Sequence, residues 1–258
     1  MKQKNKNSYH KLPILDGLGL LNAKHHTRNF PFHTHDTFNI TLVLDQLFCT
    51  GLSDRFLQAP VGAIVITNPD EVHETICDNK LGSSFFTFYV SAEVLKDMNN
   101  NKRVIFYDKV INDKFLFRQL QDISLNYNNP FYEVEKKLLF VLERLVKKYA
   151  NDKITSDKKI KLFHTFLEAD NLEKFSLEST ASEFGLNKYK FLRLFKQQTG
   201  LTPNNYIILK RIEKCKQLLE TQDDLLAIAI ETGFYDATHL CKYFKKVTGI
   251  TPFAYRNS

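Results

Sequence analysis

The segment "ETGFYDATHLCKYFKKVTGITPFAYR", residues 231–256, is the second telling of a pattern already met in "FGLNKYKFLRLFKQQTGLTP", residues 184–203. Within these, "FKQQTGLTP" (195–203) and "FKKVTGITP" (244–252) agree at six of nine positions at an offset of 49. Upstream, "ASEFG" (181–185) pairs with "AIETG" (229–233) at an offset of 48. The one-residue difference falls in a turn, where an insertion costs least. The chain therefore carries two copies of one unit: helix, Gly turn, helix.

Each copy has a physical logic. An Ala four residues before a Gly places a small side chain where two helices cross, and the Gly takes a backbone conformation that other residues resist. Asn187 and Asp236 stand where the second helix of each copy needs an N-cap. In the first copy Phe191, Leu194 and Phe195 share the inner face. Lys188, Tyr189, Leu192, Arg193 and Lys196 point outward, with no acid among them. In the second, Leu240, Tyr243 and Phe244 pack inward, and Ala237, Thr238, Cys241, Lys242 and Lys245 face out. Short groups at the helix start and long cations further along suit a helix entering the major groove of DNA. Between the copies, "NNYIILKRIEKCKQLLE" (204–220) predicts one amphipathic helix of about 25 Å. That is the scale needed to hold two recognition helices one DNA turn, roughly 34 Å, apart.

The C-terminal run resembles the AraC/XylS transcriptional regulators, whose signature is roughly G-F-x-D-x-S-Y-F-x-R-x-F-K-x-x-x-G-x-T-P-x-x-Y-R. Gly233, Phe234, Asp236, Phe244, Lys245, Gly249, Thr251, Pro252, Tyr255 and Arg256 stand in register with it. Thr238, His239, Leu240 and Lys242 depart from the commoner Ser, Tyr, Phe and Arg. The resemblance covers about 100 residues. It implies base-reading roles for Tyr189, Leu192, Arg193, Ala237, Thr238, Cys241 and Lys242, a contact with RNA polymerase, and gene activation. It implies a regulator rather than an enzyme.

The bulk figures are compatible but not decisive. The 258 residues suit two domains. The net charge of +7 divides almost evenly: residues 157–258 hold 16 basic and 12 acidic groups, the rest 20 and 17. Local arrangement, not net charge, carries the nucleic-acid case. The four cysteines form no CxxC pair and read as reduced thiols of a cytosolic protein. The basic N-terminus leads into no long apolar stretch, and no apolar run approaches 18 residues, so neither a signal peptide nor a membrane span is expected.

The first half reads differently. "FNITLVL" (38–44) alternates Phe38, Ile40, Leu42 and Leu44 on one face, and "GAIVIT" (62–67) and "SSFFTFYV" (83–90) are strand-like runs. Turn signals at 59–62 and 68–71 separate them. Strands to about 93 and helices over about 94–150 are expected. The overall architecture is then α+β: a cupin-like β-barrel or jelly roll with appended helices over 1–155, and an all-α domain with two helix-turn-helix units over 156–258. The polar segment 151–159 reads as the linker. "PFHTHD" (31–36) and "NPDEVHE" (68–74) resemble the cupin-type sensor domain often fused to such DNA-binding units, though Asp45 and Gln46 stand where a Gly is common.

His33, His35 and His73 admit three readings: a metal site, hydrogen-bonded groups at a barrel mouth, or contacts to a small organic effector. No acidic residue follows HxH where metal-binding cupins place a Glu, so no metal or cofactor is assigned. Arg55, Phe85 and Tyr89 join the three histidines as candidate effector contacts. The stripe Val134, Leu138, Val141, Leu142, Leu145 and Val146 either packs on its own barrel or pairs with a second copy, giving a homodimer through 132–150. The alternatives to an effector-switched regulator are a metal-dependent cupin enzyme with a DNA-binding tail, and a ligand-independent regulator governed by a protein partner.

Overall fold

In the computed structural model of the chain, the residues described are 6–52, 55–77, 81–150, 175–222 and 224–257. The expected linker, 151–159, lies outside them. The chain divides into two compact units, residues 1–29 with 34–154, and residues 155–258 together with the short strand segment Phe30–His33.

The first unit is built on antiparallel strands. A six-stranded sheet has the order β1 (Lys6–Leu12), β2 (Leu18–His26), β9 (Ser83–Val90), β4 (Phe38–Asp45), β7 (Ile64–Thr67), β10 (Val110–Ile111). A four-stranded sheet has the order β3 (Phe30–His33), β8 (His73–Ile76), β5 (Phe48–Leu52), β6 (Phe56–Ala59). The polar N-terminal stretch is thus strand from Lys6, not merely a lead-in. Tyr9 packs over Gly19 of β2, where a Cβ would run into its hydroxyl. At the β4–β5 turn, where a Gly was missing from the sequence, Gln46 takes φ 60° itself.

Both faces of the larger sheet are covered. On one face lie Leu18, Leu20, Phe38, Ile40, Leu42, Ile64, Ile66, Phe86, Phe88 and Val90, all at most 2% exposed. They join one apolar core with three helices, α1 (Ala92–Met98), α2 (Lys114–Asn126) and α3 (Val134–Tyr149). On α3 the stripe Leu138, Val141, Leu142, Leu145 and Val146 is buried in this core, so it serves its own barrel. The opposite side of α3 exposes Phe140, and the Arg144 guanidinium lies over both Phe140 and Phe115 of α2.

Asn68 pins the segment before β10. Its side-chain amide donates to the Phe106 carbonyl and its oxygen accepts from the Phe106 N–H, at 3.0 and 2.9 Å. Phe106 is thereby held edge-on to Phe38 in the core. Asp113 caps α2, accepting from the N–H groups of Phe115 and Leu116, and ties it to Lys148 and Tyr149 at the end of α3.

The second unit is helical: α4 (Leu177–Glu183), α5 (Lys188–Thr199), α6 (Pro203–Leu218), α7 (Leu225–Glu231), α8 (Ala237–Thr248) and α9 (Pro252–Arg256). No helix of the described residues is long and apolar enough to cross a membrane.

The hydrogen bond from Lys148, together with the backbone and Tyr149 donors, holds the Asp113 carboxyl down to about 2. Its folded value lies below the unfolded one near 4, so its stabilisation is complete above about pH 4 and lost as pH falls toward 2. Asp113→Ala is expected to cost about 1–2 kcal/mol at neutral pH, the usual worth of a carboxylate cap. In acid titrations followed by circular dichroism, that gap should close between about pH 4 and 2.

Candidate nucleic-acid interface

The turn of the unit seen twice in the sequence is closed by the same pair of backbone hydrogen bonds in each copy. In the first copy the turn after α4 is closed by Gly185 N–H to Ser182 O and Leu186 N–H to Ala181 O, both 2.9 Å. In the second, Gly233 N–H reaches Ile230 O at 3.0 Å and Phe234 N–H reaches Ala229 O at 2.8 Å. Ala181 and Ala229 are fully buried at the crossings. Gly185 and Gly233 lie at φ +64° and +80°, in the region that glycine alone enters cheaply.

The following helices are capped as their sequences require. Asn187 accepts from Lys190 N–H at 2.9 Å, and Asp236 from His239 N–H at 2.6 Å. Both helices stop at a left-handed glycine, Gly200 or Gly249. Before each stop a threonine hydroxyl, Thr199 or Thr248, donates to the Phe195 or Phe244 carbonyl at 2.8 Å. After each stop Thr202 or Thr251 caps the next helix, whose first residue is Pro203 or Pro252. Phe191 and Phe195 anchor α5, and Leu240 and Phe244 anchor α8, all fully buried.

With those anchors turned in, the outer stripes are fixed. On α5 the exposed residues include Tyr189, Arg193, Lys196 and Gln197. On α8 they include Thr238, Lys242, Lys245 and Lys246, the same four positions shifted by 49. Spacings of four, three and one put each set on a single helical face. Leu192 on α5 and Ala237 and Cys241 on α8 are half-buried beside these stripes. Lys188 is exposed but ion-paired to Glu178 of α4 at 3.2 Å. A pair this exposed is weak and gives way readily to a phosphate. Gln197 was not singled out from the sequence; its alignment with Lys246 is the signal that finds it. Tyr235, 89% exposed in the turn before α8, is a second addition.

The helix between the copies is braced. α6 spans 16 residues, about 24 Å. Arg211 on it lies over the Phe234 ring and against Gly233, where a Cβ would sit 2.9 Å from the guanidinium. Cys215 is buried and bonds to Thr232, and its burial pushes the thiol up to about 11, so it stays a neutral packing group. At the chain end Arg256 donates to the Gln222 carbonyl at 2.7 Å.

These features meet in a match of residues 180–258 to the helix-turn-helix domain family HTH_18. The C-terminal unit is an AraC-type helix-turn-helix domain. Over 228 residues the chain is 26% identical to the uncharacterized HTH-type transcriptional regulator YbfI of Bacillus subtilis, covering 83% of this chain and 82% of that one. Over 98 residues it is 34% identical to the HTH-type transcriptional activator RhaS of Escherichia fergusonii, covering 38% and 35%. Among solved structures it is similar to an apo variant of ToxT from Vibrio cholerae strain SCE256, with a TM-score of 0.58 at 14% identity, covering 99% of each chain. That likeness shows a shared two-domain fold.

The candidate effector contacts of the first unit fall as follows. Phe85 is buried edge-on to Phe48. The His35 ring lies tilted against His73 and edge-on to Tyr89. His73 is buried, donates from Nδ1 to the Glu71 carbonyl at 2.9 Å, and has Nε2 3.5 Å from the Asn39 amide. Burial holds it below the usual histidine range, in its neutral form. Arg55 is exposed in the β5–β6 turn. A ring nitrogen from each of His33, His35 and His73 lies within 4.8 Å of the others, a grouping that could hold a metal ion.

The two turn glycines are expected to differ. A Cβ at Gly185 meets open space, whereas at Gly233 it must displace Arg211 from Phe234. Gly185→Ala should cost about 1–2 kcal/mol of left-handed strain, and Gly233→Ala more, measured by urea denaturation.

Proposed function

We propose that the chain is a sequence-specific DNA-binding transcriptional regulator, with α5 and α8 as two recognition helices reading adjacent major-groove segments. The observation that carries this reading is the twice-repeated outward stripe, free of acids, on helices whose inner faces and caps are duplicated. α6 supplies a spacer of the right order: helices at its ends can address grooves about 34 Å apart.

Roles follow from side-chain chemistry. Arg193 offers a planar fork that matches guanine O6 and N7. Lys242, its counterpart, is a point charge with freer geometry. Tyr189, Thr238 and Cys241 lie near the helix starts or beside the stripes, within reach of base edges. Leu192 and Ala237 contact thymine methyl groups or fill space. Lys196, Lys245, Lys246 and Lys188, once it leaves Glu178, take phosphates.

The regulator is an activator that touches RNA polymerase, and it is not an enzyme. A relative named as an activator supports the first part. A small-molecule effector bound in the first unit shifts the equilibrium between DNA-binding states, which requires different affinity for each. Dimers form through α2 and α3, using the exposed Phe140, Arg144 and Phe115 face, since the apolar stripe of α3 is spent on its own core. Phe140→Asp should sediment as a monomer while keeping its fold.

Binding to genomic fragments selected with the purified protein tests the main claim. Arg193→Ala should lose about 1–3 kcal/mol at one half-site and relax base choice there. An equal loss on every sequence would remove it from base reading. Lys245→Ala should instead lower the salt slope by about one unit, on all sequences alike.

A further inference from the structure

The turns of the two helix-turn-helix copies differ in length by one residue, and the residue without a counterpart is Tyr235. From Gly185 the first copy reaches its N-cap, Asn187, in two steps; from Gly233 the second reaches Asp236 in three. The bonds on either side of the extra residue are the same in both. Phe234 N–H to Ala229 O answers Leu186 N–H to Ala181 O, and the Asp236 cap answers the Asn187 cap. Phe234, 3% exposed, fills the inner place that Leu186 fills in the first copy. Tyr235 itself closes no turn and packs in no core.

Any turn residue would serve as a spacer there. This one is a tyrosine, 89% exposed, with no hydrogen bond, ion pair or ring contact among the described residues. A single exposed aromatic needs no explanation by itself. Its place does: Tyr235 stands immediately before the N-cap of α8, at the end of the helix proposed to enter the groove.

The starts of the two recognition helices differ in charge. α5 opens with Lys188 and Lys190, both exposed. At the same two positions α8 has Ala237 and His239, and the His239 ring is half-buried, edge-on to Phe234 and Tyr243. The first lysine of α8 is Lys242, more than a turn further on. Phosphate contacts hold a recognition helix in register, and the first turn of α8 lacks the cations that make them in α5. The Asp236 carboxylate is occupied by the cap, and Thr238 belongs to the base-facing stripe. That leaves the Tyr235 phenol as the donor beside the helix start.

We infer that Tyr235 is a positioning contact of the second copy. Its phenol O–H donates to a phosphate oxygen at the rim of the groove that α8 enters, doing by a neutral hydrogen bond what Lys188 and Lys190 do by charge at the start of α5. The inference rests on the reading of α8 as a recognition helix, and adds the residue that sets its register. Tyr235 reads no base. A neutral donor displaces no condensed counterion, so it adds affinity without adding to salt dependence.

The test compares the full chain with its Tyr235→Phe and Tyr235→Lys variants on a duplex selected from genomic fragments with the parent. Tyr235→Phe keeps the ring and should melt at the parent's temperature; a clear fall would make the hydroxyl structural and overturn the inference. Its Kd should rise about three- to tenfold, on the selected duplex and on point variants of it alike, with the parent's salt slope. Ethylation of one phosphate beside the patch protected by α8 should interfere with the parent and not with Tyr235→Phe. Tyr235→Lys should steepen the slope by about one unit, since a cation then meets that phosphate. Parent-like affinity and interference in Tyr235→Phe, a loss confined to one base pair, or an unchanged slope in Tyr235→Lys would each overturn the assignment and leave the regulator reading standing. A parent that retains no genomic fragment would sink both.

Discussion

The second unit depends on where its helices are made to stop. Gly200 and Gly249 sit in the left-handed region, and a threonine cap followed by proline restarts the chain two residues later in each copy. Proline cannot continue the preceding helix, and the capped threonine sets the entry of the next one. The stop is reinforced by Thr199 and Thr248, whose hydroxyls donate to the backbone carbonyls of Phe195 and Phe244, while burial holds the two rings. Once those rings point inward, the placement of Arg193 and Lys242 on the outer face follows from 3.6 residues per turn. The chemistry of the outer face is thus a consequence of the caps.

The two copies are alike in backbone and unlike in side chains. The first stripe has one arginine and a tyrosine; the second has three lysines and a threonine. Their turns differ as well, Gly185 standing in the open and Gly233 under Arg211. α6 braces the second turn through Arg211 and meets the first copy through Tyr206, whose ring packs edge-on to Phe195.

Much of this was legible in the sequence, because the signals are local. Asn187, Asp236, the two TG-x-TP runs and the Ala–Gly spacings specify caps and turns within a few residues, and duplication checked each against the other. The strands around 38–44, 62–67 and 83–90 were legible from alternation. The strand Lys6–Leu12 was not: a run of Lys, Asn and His carries no alternation, and its order comes from pairing with β2 and from Tyr9 over Gly19. Nor was the meaning of the alternation itself. Apolar residues alternating with Asn39 and Thr41 ordinarily mark one wet face. Here the apolar side faces the helices and the polar side faces a second sheet, a fact of layer order that no single strand encodes. The fate of the α3 stripe was undecidable for the same reason.

The account stands or falls on whether one protomer engages DNA through both copies. Hydroxyl-radical footprinting of the purified chain on a selected fragment measures this directly. Two protected patches per protomer, about one helical turn apart on one face of the duplex, are predicted. A single patch that Lys242→Ala leaves unchanged would contradict it.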